Sequence, residues 1–178
     1  AASDVYKRQV VVREDFSTII RKIRIFSGAI LFAYVIMHLL NHSVNIFSID
    51  LADAIRSSYF NPIWQNPVGL VLLYGSLTAH LILGFASILT RKSFKMKAKD
   101  WIQIVFPVLA LLFLLQHIAV SFIITKIYGG EETYSLFFAA MNTETPSDLI
   151  VGAILFSLMT IFIWVHGVIG LDSYLKQQ

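Results

Sequence analysis

The histidines are the residues of this sequence whose type and spacing are suited to chemistry. All five lie within long apolar stretches of the chain: His38, His42, His80, His117 and His166. An imidazole binds transition metals through a ring nitrogen, and it also forms hydrogen bonds between packed helices. Because a polar side chain inside a long apolar segment is costly, each of these residues needs a partner. Which histidines can pair depends on the helices on which they lie.

Four apolar runs exceed the roughly 18 residues that mark a membrane-spanning candidate. They cover residues 25–49, 67–90, 102–125 and 149–171, and each holds at least one histidine. The composition agrees, with 57% hydrophobic residues, 14% charged residues and a mean hydropathy of +0.72. The sequence therefore predicts an all-α fold, a transmembrane up-and-down four-helix bundle in a lipid bilayer.

The basic residues predict an orientation. Ten of the Lys and Arg residues flank one side of the predicted spans, and only Arg56 and Lys126 lie on the other. By the positive-inside rule, both termini and the 91–100 loop face the cytoplasm of a multi-pass protein in a bacterial inner membrane. On the outer side, residues 51–63 and 133–142 are predicted to form short helices on the membrane surface. Pro107, inside the third run, is expected to kink its helix without breaking it.

The sequence also predicts how the chain divides. Residues 1–9 are expected to be an artefact, because residues 4–9 look like a translated sequencing adapter. Residues 10–20 form a cytoplasmic N-terminal segment, and 21–178 form the membrane domain, a fragment whose C-terminal part is missing.

The absence of cysteine excludes iron–sulfur clusters, covalently attached c-type haem and disulfides. A net charge of only +3 argues against a nucleic-acid partner.

Depth estimates sort the histidines into two layers. At about 1.5 Å per residue, His80 and His166 both lie about 15 to 17 Å from the nearest cytoplasmic basic residue. His38 lies at about 21 Å, and His42 and His117 both lie at about 27 Å. In an up-and-down bundle the first and third helices are diagonal, as are the second and fourth. Each layer therefore joins one diagonal pair.

Paired imidazoles at shared depth are the ligand set of two b-type haems, because each iron takes one imidazole from either face. Small residues beside the histidines leave room for a flat macrocycle. Ser76 and Gly84 flank His80 at four residues on either side, and Gly170 follows His166 by four. The alternative is ordinary close packing of helices through small residues and hydrogen-bonded histidines. A non-haem metal is disfavoured because carboxylates are missing from the spans.

These residues resemble the dihaem cytochrome b anchors of succinate dehydrogenases and fumarate reductases. Ser27 and Gly28 precede His38 at the spacing of that family's first haem ligand, and residues 166–171 read His-Gly-x-x-Gly-Leu, like its last ligand segment. The resemblance implies two bis-histidine haems, with His38 paired to His117 and His80 paired to His166. It also implies a quinone partner and an iron–sulfur subunit docked on the cytoplasmic side.

The sequence is still more similar to the N-terminal membrane domain of bacterial class III adenylate or guanylate cyclases. The shared features are Ser27, Gly28, Leu31 and Phe32, the run 38–42 that reads His-Leu-x-Asn-His, the run 72–75 followed by His80, and the run 164–167. This resemblance covers roughly residues 21–175. It implies a cytoplasmic cyclase domain after the membrane domain, and with it a homodimer. No catalytic residue is expected in this chain.

The outer ligand is the point where depth and resemblance disagree. Depth pairs His42 with His117, whereas the spacing after Gly28 favours His38, which we choose. At i and i+4 both rings occupy one helix face, so His42 is free to hydrogen-bond a haem propionate, a quinone or Asn41. The candidate partners of the inner propionates are Arg21, Arg24, Arg91 and Lys92. Their other interpretation is as topology determinants.

The leading hypothesis is a dihaem b domain for transmembrane electron transfer or redox sensing, attached to a nucleotide cyclase. The first alternative is the cytochrome b anchor subunit of a succinate dehydrogenase or fumarate reductase. The second is a haem-free membrane anchor that only dimerises a cytoplasmic effector.

Overall fold

The chain is helical almost throughout the residues that the structure, a computed structural model, describes: 2–123, 127, 133–134 and 146–176. The helices are α1 (Ala2–Val44), α2 (Ile49–Ile55), a π-helical turn (Arg56–Phe60), α3 (Asn61–Trp64), α4 (Pro67–Leu89), α5 (Ala98–Phe122) and α6 (Pro146–Leu175). No strand occurs in these ranges. The predicted all-α fold class is therefore confirmed.

Four of the helices are long and apolar enough to cross a membrane. The spans are Ser17–Val44, Pro67–Leu89, Ala98–Phe122 and Ile150–Leu175. Each overlaps one of the four runs predicted from the sequence, and many large apolar side chains on them are exposed in the isolated chain. Because such a surface is stable only in a hydrocarbon environment, the chain is a multi-pass membrane protein whose helices face lipid.

The first span ends earlier than the sequence predicted. Helix α1 stops at Val44, whereas the apolar run continues to residue 49. The cause is Ser48, whose extended backbone and side chain start a new helix, since its Oγ accepts a hydrogen bond of 3.2 Å from the Leu51 N–H. The short helices predicted over 51–63 are present as α2, the π-helical turn and α3. The segment predicted at 133–142 lies outside the described residues, except for Thr133 and Tyr134.

The chain forms two compact units, and the first comprises Ala1–Met37 and Asn61–Lys92. Within it, α1 and α4 run antiparallel. Arg24 donates a hydrogen bond of 2.7 Å to Ser87 near one end. Toward the other end the rings of Tyr34 and Trp64 meet edge to face, with centroids 5.2 Å apart. The expectation that residues 1–9 are an artefact stays a prediction.

The second unit comprises His38–Phe60 and Ser93–Gln178. Here α5 and α6 pack antiparallel, with the Lys99 ammonium 2.6 Å from an Asp172 carboxylate oxygen at one end. Farther along, the ring centroids of Phe106 and Phe162 lie 4.9 Å apart. Helix α5 continues through Pro107, as the sequence predicted. The final turn of α1 and helix α2 belong to the same unit.

The junction between α3 and α4 is held by one side chain. The Asn66 Oδ1 accepts hydrogen bonds from the backbone of Val68 and Gly69, at 2.9 and 3.0 Å, and its Nδ2 donates to the carbonyls of Pro62 and Ile63. This cap pulls α4 so close to the preceding turn that Gly69 is buried. A methyl group on Gly69 would overlap the Ile63 carbonyl oxygen and lie 2.8 Å from the Trp64 Cα.

We therefore expect Gly69→Ala to destabilise the protein by about 1 to 3 kcal/mol, because the added methyl group meets backbone that has to move. Thermal unfolding in detergent, followed by circular dichroism, measures the change as a lower Tm. The control is Gly75→Ala on the same helix, where the new methyl group meets nothing within 4 Å. That variant should be neutral or stabilised by up to about 1 kcal/mol through helix propensity. Equal Tm values for the two variants would contradict this account of the junction.

Candidate functional site

Three of the five predicted histidines meet in the second unit, and we call them the histidine cluster: His38, His42 and His117. His38 and His42 share a face of α1, one turn apart, and their Nε2 atoms are 3.0 Å apart in a hydrogen bond. The ring of His117, from α5, has its centroid 5.9 Å from that of His38, with the two planes inclined at 62°. The structure thus brings together the predicted outer residues.

Aromatic side chains flank the histidine cluster. The Phe60 ring, from the π-helical turn, lies 5.8 Å from the His38 ring, and the Phe156 ring, from α6, lies 6.1 Å from the His117 ring. Phe60 is buried. These rings make the surroundings of the imidazoles apolar, which strengthens any electrostatic or coordinate bond formed there.

The spacing of His38 and His117 fits a metal bound between them. At metal–nitrogen distances of about 2 Å, two imidazoles on opposite sides of one ion have ring centroids about 6 Å apart. The 5.9 Å separation agrees with this value. Among the described residues, no group of three or more His, Asp or Glu is arranged to hold a metal ion. His38 and His117 are therefore candidate ligands of one shared ion.

The hydrogen bond between His38 and His42 constrains that ligation. Between two neutral imidazoles, one Nε2 donates a proton and the other accepts it. A metal on the His38 Nε2 needs the lone pair and leaves no proton there, so the hydrogen bond has to be given up. Asn41, which the sequence offered as a partner of His42, instead donates to Tyr134.

His80 lies in the first unit and is oriented by α1. Its Nδ1 is 3.3 Å from the Arg24 carbonyl oxygen and 3.4 Å from the Ser27 Oγ. Because a carbonyl only accepts, that hydrogen bond places the proton on Nδ1 and the lone pair on Nε2. Metal-binding histidines are commonly oriented in this way, with the second nitrogen donating to a carbonyl. Ser27, only 3% exposed, also donates to the same carbonyl at 3.1 Å.

The small residues predicted to leave room for a cofactor differ from one another in what lies beside them in the structure. At Gly28 an added Cβ would lie 3.1 Å from the His80 Cε1, so this glycine lets the imidazole pack against α1. At Gly84 the same atom would meet nothing within 4 Å, which leaves open space beside α4. Ser76 is buried on α4 and, with Ser27, lines a groove between α1 and α4. At Gly170 the neighbour is the Gln103 side chain.

His166 lies on α6 in the second unit, whereas His80 belongs to the first. Their pairing stays a prediction. Arg24, predicted to meet an inner propionate, donates to Ser87, and Arg91 is exposed just beyond the end of α4. Their role toward a cofactor also stays a prediction.

Three residues form a group that we call the tyrosine cap: Asn41, Asp53 and Tyr134. Sequence reasoning missed Asp53 and Tyr134, and it gave Asn41 only as a partner of His42. The Asn41 Nδ2 donates a hydrogen bond of 2.7 Å to the Tyr134 hydroxyl, and the Tyr134 backbone N–H donates one of 2.9 Å to an Asp53 carboxylate oxygen. The Tyr134 ring meets the His42 ring edge to face at 4.9 Å. Burial raises the pKa of Tyr134, so the phenol stays neutral at physiological pH.

Gln103 was also missed. Its side chain lies beside Gly170, and its Oε1 is buried with no hydrogen-bond partner among the described residues. The available signal was a polar residue at the start of the apolar run 102–125. For Tyr134 the sequence carries no comparable signal.

In comparisons with known proteins, no family model, no curated protein and no solved structure matches the chain.

A double-mutant cycle measures the buried hydrogen bond of the tyrosine cap. Asn41→Ala and Tyr134→Phe should each cost about 1 to 3 kcal/mol of unfolding free energy, because each leaves a buried polar partner unsatisfied. The double variant should cost about 1 kcal/mol less than the sum. The control is Ser43→Ala, which removes an exposed hydroxyl bonded within α1 and should change stability by no more than about 0.5 kcal/mol. Strictly additive losses would mean that the two side chains do not interact.

Proposed function

We propose that the chain is a membrane-embedded dihaem b domain for transmembrane electron transfer or redox sensing. The observation that carries the proposal is the pair His38 and His117, whose ring centroids lie 5.9 Å apart between apolar aromatic side chains. Each residue comes from a different helix of membrane-spanning length. The spacing supports ligation of one iron from two sides.

The function follows from the ligand set. A bis-histidine haem supplies a one-electron couple with no vacant coordination position, which favours electron transfer over oxygen activation. The residues of the chain bind and orient that group. His38 and His117 are the proposed outer ligands, and Phe60 and Phe156 exclude water from them.

His38 is favoured over His42 as the outer ligand. The His38 ring is the one in contact with His117, and it also meets Phe60. The His42 ring is instead held against Tyr134. In this arrangement His42 neighbours the ligand and does not serve as one, although its Nε2 lies only 3.0 Å from that of His38.

The inner site is proposed at His80 and His166. Its support in the structure is the orientation of His80, whose Nδ1 lies 3.3 Å from the Arg24 carbonyl oxygen, an arrangement common among metal-binding histidines. Gly28 and Ser27 sustain that orientation through close contact with the ring. The remaining support is the equal depth of the two residues in the sequence.

The cellular setting is proposed from the sequence pattern. The domain would lie in a bacterial inner membrane with both termini in the cytoplasm, accept electrons from a quinol, and regulate a nucleotide cyclase as a homodimer. The alternative is an anchor subunit of a succinate dehydrogenase or fumarate reductase, docking an iron–sulfur subunit. The gene neighbourhood separates the two, because a cyclase in the same reading frame supports the first and adjacent flavoprotein genes support the second.

One observation favours a second candidate, the haem-free dimerising anchor. His38 and His42 satisfy each other by a hydrogen bond within α1, and their rings pack at 4.3 Å, so these imidazoles have partners without a metal.

An optical spectrum decides between these candidates. The purified chain should show b-type bands in the reduced-minus-oxidised difference, with about two haems per chain. His80→Ala and His166→Ala should each remove about half of the haem, because each leaves one iron with a single ligand. The matched control is Ser57→Ala, which alters an exposed hydroxyl on the π-helical turn and should leave the haem content unchanged. A wild-type spectrum without b-type bands would refute the haem proposal.

The same measurement separates His38 from His42. His38→Ala should remove about half of the haem, whereas His42→Ala should retain the full content, because only the first residue is the proposed iron ligand. Pyridine haemochrome analysis of each variant gives the ratio of haem to protein. The reverse result would make His42 the outer ligand.

A further inference from the structure

The histidine cluster lies close to the end of the membrane spans. His42 comes two residues before the end of α1 at Val44, and His117 comes five residues before the end of α5 at Phe122. At a rise of 1.5 Å per residue, these positions are within about 3 and 8 Å of the span ends. Hydrocarbon alone does not keep water from side chains at such a depth, so a protein layer has to cover them.

The tyrosine cap supplies that layer. Tyr134 is far from the cluster in the sequence, yet it is only 7% exposed and Asn41 only 5%. Three contacts hold Tyr134 in place. Its hydroxyl is bonded to Asn41 of α1, its backbone N–H to Asp53 of α2, and its ring packs on His42. Asp53 is itself paired with Arg56, at 3.6 Å.

These contacts act on different parts of the residue. The bond to Asp53 fixes the backbone, and the bond to Asn41 fixes the far end of the side chain, so the ring between them has little freedom to swing away. The Tyr134 ring covers one face of His42, and His42 is hydrogen-bonded to His38. Movement of Tyr134 would therefore expose the imidazole of His42, the neighbour of His38.

We infer that Tyr134 is a positioning residue that seals the histidine cluster from water and from small dissolved ligands. The consequence for bound iron rests on the proposed function. A bis-histidine iron accepts carbon monoxide only when one Fe–N bond breaks and an Fe–C bond forms, with no change in oxidation state. The seal opposes this exchange, because it denies the incoming molecule a path and keeps the His42 imidazole packed against Tyr134 beside the proposed ligand.

The experiment uses the full chain in detergent and three variants. Tyr134→Ala removes the ring, Tyr134→Phe removes only the hydroxyl, and Tyr59→Ala is the control, since Tyr59 belongs to the π-helical turn but is 68% exposed. Carbon monoxide is added to the dithionite-reduced proteins, and the absorbance change is recorded. We expect Tyr134→Ala to become reactive at about half of its haem, the share of one site in two. Wild type and Tyr59→Ala should stay unreactive, and Tyr134→Phe should react at least tenfold more slowly than Tyr134→Ala.

A haem-independent measurement keeps this inference separate from the proposed function. Diethyl pyrocarbonate acylates accessible imidazoles, and mass spectrometry locates the modified residue. In haem-free protein, Tyr134→Ala should raise the labelling rate of His42 at least tenfold over wild type and over Tyr59→Ala. If wild type lacks b-type bands but labelling rises, the haem proposal fails and the seal stands.

Two outcomes would overturn the seal. One is a Tyr134→Ala protein that keeps its haem and remains unreactive toward carbon monoxide. The other is unchanged labelling of His42 in the haem-free variant. If Tyr134→Ala does not fold, Asp53→Ala replaces it, since that change releases the backbone bond of Tyr134 and the ion pair with Arg56 but keeps the Tyr134 ring. It should give the same responses at smaller amplitude, and their absence would equally refute the inference.

Discussion

An imidazole inside a hydrocarbon-length helix is stable only when its ring nitrogens have partners, and this constraint shapes both units of the protein. In the second unit His38 and His42 bond to each other across one turn of α1. In the first, His80 turns toward the Arg24 carbonyl. The close approach that this bond needs is available because residue 28 is glycine. Helix contacts here are therefore set by polar groups as much as by apolar packing.

The first and last residues of a helix were predictable where polar residues flank the apolar run on both sides. Helix α4 begins at Pro67, beside its Asn66 cap, and ends near Arg91, as hydropathy predicted. The end of α1 was not predictable from hydropathy, because Ile46, Phe47 and Ile49 extend the apolar run past Val44. Hydropathy is averaged over a window of many residues, so one polar residue changes it little. Here a single residue, Ser48, caps a new helix and changes the direction of the backbone. Local hydrogen bonding decided what composition left open.

In the candidate site, too, some contacts were predictable from the sequence and others were not. Counting residues along each helix was enough to place His38 and His42 near His117, because the helical rise converts sequence separation into depth. The count paired His42 with His117, whereas the ring contact with His117 is made by His38, one turn earlier on the same face of α1. Tyr134 was out of reach of such reasoning. Its hydroxyl meets Asn41 across 93 positions of sequence, and the contact depends on connecting segments that have no periodicity.

The π-helical turn at Arg56–Phe60 carries one more implication, for how this chain tolerates changes in length. A π-turn accommodates one residue more than an α-helical turn, and Phe60 at its end contacts His38. Deleting a single residue there would restore ordinary α-helix and swing Phe60 by about 100° around the helix axis. The ring would then leave the imidazole it covers. Insertions and deletions in this short turn should thus be far rarer among functional relatives than substitutions.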